Sequence, residues 1–527
     1  MKHINTRLIF LLLFVIFTSA EAQSIWPKEI QLEQEEKVII YQLQPKALEG
    51  NLLKSRAAIS IRQHDNDEPL FGVLWMEARL LTERDERMAT LENIVITHIR
   101  FSDTTEESQL SALKTSLEQQ IPQWHLDIAL DDLLATLGTT NISPSTEFNN
   151  APPRIFYRSQ PTMLVLIDGE PIHTFDEELS IDRIINTPFL IALNPDDQLY
   201  YLYGDQFWYQ SANLTQGWKA IEKLPKRIKK LNKKIEKQQE NTPVSQYVFY
   251  EDALPPEILV STMPAELLQS KGEPEFVSIE GTGLLYISNT DNEIFLDIDS
   301  QQYFVVLSGR WYTAKSLEGP WSYHSSNTLP EDFAMIPEDS EKGNVLIYVA
   351  GTQAAEEAVM DAQFPQTARV DRHAAQCSVV YDGSPQFEPI EGTRLELAIN
   401  ASTTVLRDNE RYFCVENGVW FVSEHATGPW ELSVDRPSDI DRIPPSSSAY
   451  NVRYVHIYDV TPDFIYMGYT PAYLGCYVWG PTIVYGTGYY YRPWYRRYYY
   501  PRPLTWGFGM LYDTWTGWSI SLGFDLG

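Results

Sequence analysis

Three pairs of adjacent aromatic residues are the side chains in this sequence best suited to bind a ligand. They are Trp208 and Tyr209, Trp311 and Tyr312, and Trp420 and Phe421. Sugars bind proteins largely by stacking their C–H faces on exposed aromatic rings. Because neighbouring side chains on a strand point to opposite faces, we expect one ring of each pair to point to the core, which leaves the other able to lie at the surface. The alternative is a packing role, and for Tyr312 and Phe421 the sequence leaves both open.

The pairs recur in one register along the chain. They lie in the stretches YYLYGDQFWYQSANLTQGW, YFVVLSGRWYTAKSLEGPW and YFCVENGVWFVSEHATGPW, each with two tryptophans 10 residues apart. Upstream, a glycine (Gly169, Gly272, Gly383) precedes an asparagine (Asn186, Asn289, Asn400) by 17 residues in every copy. These spacings predict a triplicated module of about 105 residues. The second tryptophans are candidates for closing each hairpin: Trp218, Trp321 and Trp430.

Each stretch is typical of a β-hairpin. Ser308-Gly309 and Asn417-Gly418 are turn dipeptides between runs of aromatic and β-branched residues. The glycine-proline turn that follows directs Trp321 back toward the sheet. Further along copies two and three, we expect a strand to begin at Asn344 and at Asn451.

Signatures of enzymatic chemistry are few. The sequence has no G-x-S-x-G elbow, no H-E-x-x-H motif and no glycine-rich phosphate loop. Among 71 acidic residues no pair stands out as an acid and a base. Asp297 and Asp299 have calcium-binding chemistry but lack the glycine and distal glutamate of an EF-hand loop. We therefore predict no catalytic residue, metal or cofactor.

The stretch VLSGRWYTAKS, residues 306–316, resembles the core of chitin-type carbohydrate-binding modules of families five and twelve. Gly309, Tyr312, Ala314 and Lys315 match that pattern, whereas the family's adjacent tryptophans fall at Ser316 and Leu317. The chain as a whole is similar to secreted bacterial proteins labelled carbohydrate-binding family V/XII. The resemblance implies a polysaccharide or a glycan of the cell envelope as the partner.

The first residues predict export. Lys2 and Arg7 precede an apolar run from Leu8 to Phe17, and Ala20-Glu21-Ala22 is a cleavage signal. The apolar run is too short to cross a bilayer, and we expect no membrane-spanning helix elsewhere. The chain is therefore predicted to be secreted or periplasmic, with the signal peptide cleaved after Ala22, and not an integral membrane protein.

Charge and cysteine content limit the partners further. The formal net charge of −30 argues against nucleic acid, because an acidic surface repels phosphates. Cys377, Cys414 and Cys476 permit one disulfide or none in an oxidising compartment. A single basic segment, PKRIKKLNKKIEKQQEN, predicts a helix with Ile228, Leu231 and Ile235 on one face. Its lysines would contact an anionic envelope surface, or else pair with the acidic body.

The fold class we expect is mainly β, with a small α+β N-terminal domain, three tandem β-rich repeats and a Tyr/Gly/Trp-rich β tail. Strands are predicted in KVIIYQL, AAISIRQ and LENIVITHIRF, and helices around Leu113 and over LDDLLATL. The expected segments are a signal peptide (1–22), the N-terminal domain (23–149), repeat 1 with the basic helix (150–255), repeat 2 (256–365), repeat 3 (366–459) and the tail (460–527).

These features together predict an exported, non-enzymatic protein that binds a glycan or the cell envelope through repeated aromatic hairpins. The alternative is a structural or assembly scaffold of the envelope that binds protein partners. A third possibility is a glycosidase whose carboxylates the sequence does not single out.

Overall fold

The computed structural model describes residues 27–31, 37–62, 69–101, 107–124, 126–137, 148–204, 206–239, 254–491, 510–513 and 517–520. The signal peptide at 1–22, residues 138–147 near the end of the predicted N-terminal domain and most of the tail after residue 491 lie outside these residues. The described chain forms two compact units. The first comprises Met1–Ala47, Leu52–Leu80 and Met88–Leu133, and the second Leu48–Asn51, Leu81–Arg87 and Leu134–Gly527.

The first unit is an antiparallel sheet with two helices. Its strands are β1 (Lys28–Gln31), β2 (Lys37–Ile40), β3 (Gln44–Glu49), β4 (Leu52–Arg62), β5 (Leu70–Glu83), β6 (Met88–Phe101) and β7 (Asp127–Ala129), and its helices are α1 (Glu107–Gln120) and α2 (Leu130–Leu137). The strand order is β1-β2-β4-β5-β6-β7, and β3 pairs with β4. The predicted face of α1 is buried at Leu113 and Leu117. The predicted strands and both helices are therefore present.

The second unit begins with two short strands and a six-stranded sheet. The short strands are β8 (Arg154–Arg158) and β9 (Thr162–Leu166). The sheet, which we name sheet A, contains β10 (His173–Asp176), β11 (Ile181–Ile184), β12 (Leu190–Asn194), β13 (Leu199–Gly204), β14 (Phe207–Ser211) and β15 (Lys219–Ile221) in that order. The predicted basic helix follows as α3 (Lys226–Gln239).

A second six-stranded sheet, sheet B, follows two more short strands. These are β16 (Glu257–Ser261), which pairs in parallel with β9, and β17 (Ala265–Gln269), which pairs in parallel with β8. Sheet B contains β18 (Phe276–Ser278), β19 (Leu284–Ile287), β20 (Ile294–Asp297), β21 (Gln302–Leu307), β22 (Arg310–Ala314) and β23 (Ser322–His324). Three 3-10 helices (Ser326–Thr328, Glu331–Met335 and Gly343–Tyr348) and α4 (Gln353–Asp361) come next.

The third six-stranded sheet, sheet C, is followed by shorter hairpins. Strand β24 (Gln366–Asp371) precedes β25 (Phe387–Pro389), β26 (Glu396–Ala398), β27 (Thr404–Asp408), β28 (Arg411–Glu416), β29 (Val419–Ser423) and β30 (Glu431–Leu432) of sheet C. The remaining elements are 3-10 helices Ile440–Arg442, Tyr450–Tyr454 and Pro471–Leu474, and strands β31 (Val455–Val460), β32 (Phe464–Tyr469), β33 (Cys476–Trp479), β34 (Thr482–Tyr485), β35 (Met510–Asp513) and β36 (Gly517–Ile520).

The prediction of a mainly β fold is confirmed. Sheets A, B and C share one strand order and one connectivity, in which each strand pairs with its neighbour along the chain. That the three modules arose by triplication stays a prediction. The described helices include none that is both long and apolar enough to span a membrane.

The prediction that strands begin at Asn344 and Asn451 is wrong. Both asparagines lie in 3-10 helices, and a strand begins only at Val455 in the later copy. The β-branched residues after each asparagine suggested a strand, but their side chains are buried beneath sheets B and C. Tertiary packing has overridden local propensity here.

Candidate functional site

The three aromatic pairs occupy the fifth strand of sheets A, B and C, namely β14, β22 and β29. The hairpin turns fit their sequence: Ser308 and Gly309 have φ of 50° and 75°, and Asn417 and Gly418 have 52° and 73°. Positive φ at both positions is what a type I′ turn requires. These two turns thereby fix the register of β22 and β29, which carry the second and third pairs.

All six rings of the pairs are buried. The exposed fraction is at most 7 % for any of them: Trp208, Tyr209, Trp311, Tyr312, Trp420 and Phe421. The interpretation in which one ring of each pair lies at the surface is therefore wrong, and the burial agrees with the alternative of a packing role. A ring that stacks on a sugar must offer an open face, and none of these six does in the structure.

The first ring of each pair packs against a helical segment that follows its sheet. Trp311 Nε1 donates a hydrogen bond to the Tyr348 carbonyl (2.8 Å), and Trp420 Nε1 donates to that of Val455 (3.0 Å). These acceptors lie at the ends of corresponding 3-10 helices. In sheet A the partner is the side-chain oxygen of Asn232 on α3, at 2.8 Å from Trp208 Nε1. The first rings thus fasten each sheet to its helical cover.

The second ring of each pair faces the chain that leads into its sheet. Tyr209 shares a core with Val165 of β9, and Tyr312 shares one with Leu268 of β17. Phe421 lies in the core against which Cys377 and Val379 pack. Both faces of the fifth strand are therefore covered, one by the helical segment that follows the sheet and the other by the lead-in segment. Both covering segments lie outside the hairpin in the sequence. A hairpin viewed alone gives no sign of them.

Two of the three second tryptophans form a hydrogen bond back to the turn that precedes them. Trp218 and Trp321 each donate from Nε1 to the carbonyl four residues earlier, at 3.0 and 3.3 Å. In sheet C the corresponding carbonyl, that of Ala426, instead accepts from Tyr381 Oη (2.7 Å). The Trp430 indole N–H has no hydrogen-bond partner among the described residues.

The 17-residue spacing from glycine to asparagine has a direct structural cause. Asn400 donates from Nδ2 to the carbonyls of Asp382 (3.0 Å) and Ser384 (2.8 Å), and its Oδ1 accepts from the Gln386 amide (2.9 Å). The turn that it holds contains Gly383, whose φ is 87°. Asn186 and Asn289 make the same three bonds in sheets A and B. We call this arrangement the asparagine clasp.

Replacing Asn400 by aspartate is expected to lower the free energy of unfolding by about 2 kcal/mol. The carboxylate keeps the acceptor for Gln386 but sets a second oxygen against two carbonyl oxygens in a fully buried site. Asn289 is only half-buried, so Asn289→Asp is the matched control and should cost less. Denaturant unfolding measures both changes. Equal small losses would show that the clasp does not hold the turn.

Arg310 is an interior residue that the sequence analysis missed. Its guanidinium donates to the carbonyls of Tyr485 (2.7 Å) and Gly486 (2.8 Å) and, through Nε, to Asn150 Oδ1 (2.9 Å). Burial lowers the pKa of this guanidinium. A Cβ added at Gly309 would approach the Ile483 carbonyl oxygen to 2.5 Å. The GRW segment therefore docks its hairpin on β34.

The chain matches no protein-family model, no curated protein and no solved structure. Its function must therefore be argued from its own side chains. Within the described ranges, no group of three or more His, Cys, Asp or Glu side chains is placed to hold a metal ion. Asp297 is buried and accepts from the Ser300 amide at 3.0 Å, as a turn-forming aspartate does.

The exposed surface with the most distinctive chemistry is on α3. The helix buries Ile228 and Leu231 against sheet A, with Ile235 partly buried beside them. At 3.6 residues per turn, five exposed lysines lie on the opposite side. These are Lys226, Lys229, Lys230, Lys233 and Lys237, and we call them the basic face.

Some basic residues of α3 do pair with the acidic body. Arg227 forms a two-pronged contact with Asp196 (2.9 and 3.1 Å), and Lys234 lies 2.5 Å from Glu178. Both lie at the flanks of the helix, outside the basic face. Lys229, Lys230 and Lys233 form no ion pair within the described part of the chain. The pairing explanation for the basic segment therefore holds for Arg227 and Lys234, and contact of the basic face with an anionic envelope surface stays a prediction.

Proposed function

We propose that this protein is an exported, non-enzymatic component of the cell envelope that attaches to anionic lipid headgroups through the basic face of α3. The observation that carries the proposal is the division of α3 into a buried apolar side and an exposed side of five lysines. The buried side fixes the helix, so the lysines are presented together without a cost in ordering the backbone.

The electrostatics favour weak, oriented and salt-dependent attachment. A lysine near an anionic membrane surface contributes about 1 kcal/mol, so three to five of them give useful affinity. The rest of the chain is strongly acidic and is repelled by the same surface. Because physiological salt screens charges beyond about 8 Å, the basic face can be attracted while the remote acidic surface is screened.

Vesicle flotation tests this attachment. The full chain should float with vesicles that contain phosphatidylglycerol and not with pure phosphatidylcholine, and added salt should release it. A triple variant, Lys229→Gln, Lys230→Gln and Lys233→Gln, should bind about 100-fold more weakly, from about 1 kcal/mol per lysine. Replacing Lys219, Lys271 and Lys315 by glutamine makes the same change in net charge at exposed sites elsewhere, and it should have little effect.

Two results would contradict the proposal. The first is that the wild-type protein does not bind anionic vesicles. The second is an equal loss of vesicle binding in both triple variants, which would reflect net charge alone. Retention on chitin or peptidoglycan that the α3 substitutions do not change would instead favour the glycan-binding alternative.

A scaffold function has one specific observation in its favour. The first strands of sheets A and B, β10 and β18, carry exposed phenylalanines, Phe175 and Phe276. A strand at the end of a sheet can pair with a strand of another protein, and an exposed aromatic side chain adds an apolar contact. Envelope proteins that co-purify with the wild type but not with a Phe175→Lys, Phe276→Lys variant would support this alternative.

A further inference from the structure

The segment that leads into sheet C is held differently from its counterparts in sheets A and B. In sheet A the lead-in strand β9 pairs in parallel with β16, and in sheet B the lead-in strand β17 pairs in parallel with β8. The corresponding residues 376–380 before sheet C form no strand. The lead-in segment of sheet C therefore lacks the ladder of backbone hydrogen bonds that holds the lead-in strands of sheets A and B.

A pair of cysteines lies at this point. Cys377 Sγ is 2.9 Å from Cys414 Sγ, although the two residues are 37 positions apart in the sequence. Cys414 lies on β28, directly opposite Phe421 of β29, on the face that the lead-in segment covers. The contact thus joins the cover to the sheet beneath it.

The equivalent positions in the other sheets are not cysteine. Met163, Glu266 and Cys377 each lie six residues before the turn glycine of their sheet. Leu202, Val305 and Cys414 each lie opposite the second aromatic ring. Cysteine therefore occurs at both members of this contacting pair in sheet C alone, where the strand ladder is missing.

We infer that Cys377 and Cys414 form a disulfide that takes the place of the missing ladder and locks the lead-in segment onto sheet C. Cys476 is fully buried in a different core, with Trp311 and Phe333, and stays a thiol. The inference does not depend on membrane attachment. It requires only exposure to an oxidant, as in an oxidising compartment.

Oxidation proceeds by thiol–disulfide exchange with a small disulfide such as oxidised glutathione. The Cys377 thiolate, which is only partly buried, attacks one sulfur of that disulfide and expels a glutathione thiolate. The Cys414 thiolate then attacks Cys377 Sγ and expels the second glutathione thiolate. The two protein thiols lose two electrons to the glutathione disulfide, and their two protons end on the two glutathione molecules.

The second step is expected to be the slower one. The adjacent Cys377 thiol and burial both raise the pKa of the Cys414 thiol in the reduced protein. Burial still raises this pKa once Cys377 carries glutathione, so little of Cys414 is thiolate at neutral pH. Formation of the protein disulfide should therefore accelerate as the pH rises.

Thiol counting by mass spectrometry tests the inference. The full chain is equilibrated with oxidised glutathione, unfolded in denaturant, alkylated and weighed intact. We expect one alkylated thiol before reduction and three after it, together with a cross-linked peptide pair that contains Cys377 and Cys414. Reduction should lower the Tm of the wild type by about 5 °C.

Three variants make the result specific. Cys377→Ser should leave two alkylated thiols before and after reduction. Cys414→Val, which carries the residue that sheet B has at that position, should stop at the glutathione adduct of Cys377, with one alkylated thiol and one bound glutathione before reduction and two alkylated thiols after it. Cys476→Ser should leave none before reduction and two after it. Three alkylated thiols in the oxidised wild type, or a cross-link that involves Cys476, would overturn the inference.

Discussion

Replacing Trp420 by alanine is expected to lower the free energy of unfolding by about 3–5 kcal/mol. The ring is fully buried in the core of sheet C, edge-on to Phe413, and its indole N–H is bonded to the Val455 carbonyl. The substitution leaves a cavity where the sheet meets its 3-10 cover, and the Val455 carbonyl keeps only the longer bond from Arg436 Nη1 (3.4 Å). Denaturant unfolding followed by circular dichroism measures the loss.

Two further substitutions separate packing from hydrogen bonding. Trp420→Phe keeps most of the ring but removes the donor to Val455, so its loss should be smaller. Trp218→Ala removes a ring that is only partly buried in sheet A, and it should also cost less. If Trp420→Ala instead left the unfolding curve unchanged and abolished retention on chitin, the ring would be a ligand platform, as first expected from the sequence.

The second large effect concerns the response of stability to pH. Burial raises the pKa of the Glu266 carboxyl to about 7, and this side chain lies on the same face of β17 as the buried Leu268. Burial and the nearby Arg436 guanidinium lower the pKa of His456 to about 4. The two groups therefore have opposite linkage to folding.

The direction of each effect follows from which state binds the proton more tightly. Glu266 holds its proton better in the folded chain, so its contribution is lost as the pH rises from about 4.5 to about 7. His456 holds its proton better in the unfolded chain, so its contribution is lost as the pH falls from about 6.5 to about 4. In the wild type these two slopes largely cancel.

Single substitutions should expose each slope. Relative to the wild type, Glu266→Gln should become more stable by about 2–3 kcal/mol as the pH rises from about 4.5 to 7. His456→Gln should lose a similar amount of stability relative to the wild type as the pH rises from about 4 to about 6.5. Denaturant unfolding across this range measures both changes. Subtracting the wild-type values removes the contribution of the other carboxylates to the pH dependence.

The control for Glu266 is the residue that sheet A carries at the same position. Glu266→Met should show the same dependence of stability on pH as Glu266→Gln. It should be more stable than the wild type at pH 7, because methionine has no charge to bury. Parallel curves for all variants and the wild type would show that neither group has a shifted pKa in the folded chain.

Local patterns in the sequence were sufficient to predict much of this structure. The Ser-Gly and Asn-Gly dipeptides specify the hairpin turns because only such residues readily take positive φ twice in succession. The spacing of Ile228, Leu231 and Ile235 predicts α3 and the side that it buries. The fixed interval between glycine and asparagine identified the clasp residues, although not the bonds that they make.

The exposure of the paired rings was mispredicted because burial depends on distant parts of the chain. The rings of β22 are covered on one side by β17 and on the other by the segment around Tyr348. Neither cover can be read from the hairpin, and parallel pairing such as that of β8 with β17 leaves no local signal. Arg310 was missed for the same reason, since a charged residue on a strand is ordinarily exposed.

The position shared by Met163, Glu266 and Cys377 shows what this architecture leaves free to change. The turn, the clasp and the paired rings carry the geometry of each sheet, so the lead-in residue is not needed to specify it. One sheet has a thioether there, one an ionisable acid and one a thiol. A single backbone plan can thus acquire sensitivity to protons in one copy and to thiol oxidants in another, while the third copy has neither an ionisable group nor a thiol at this position.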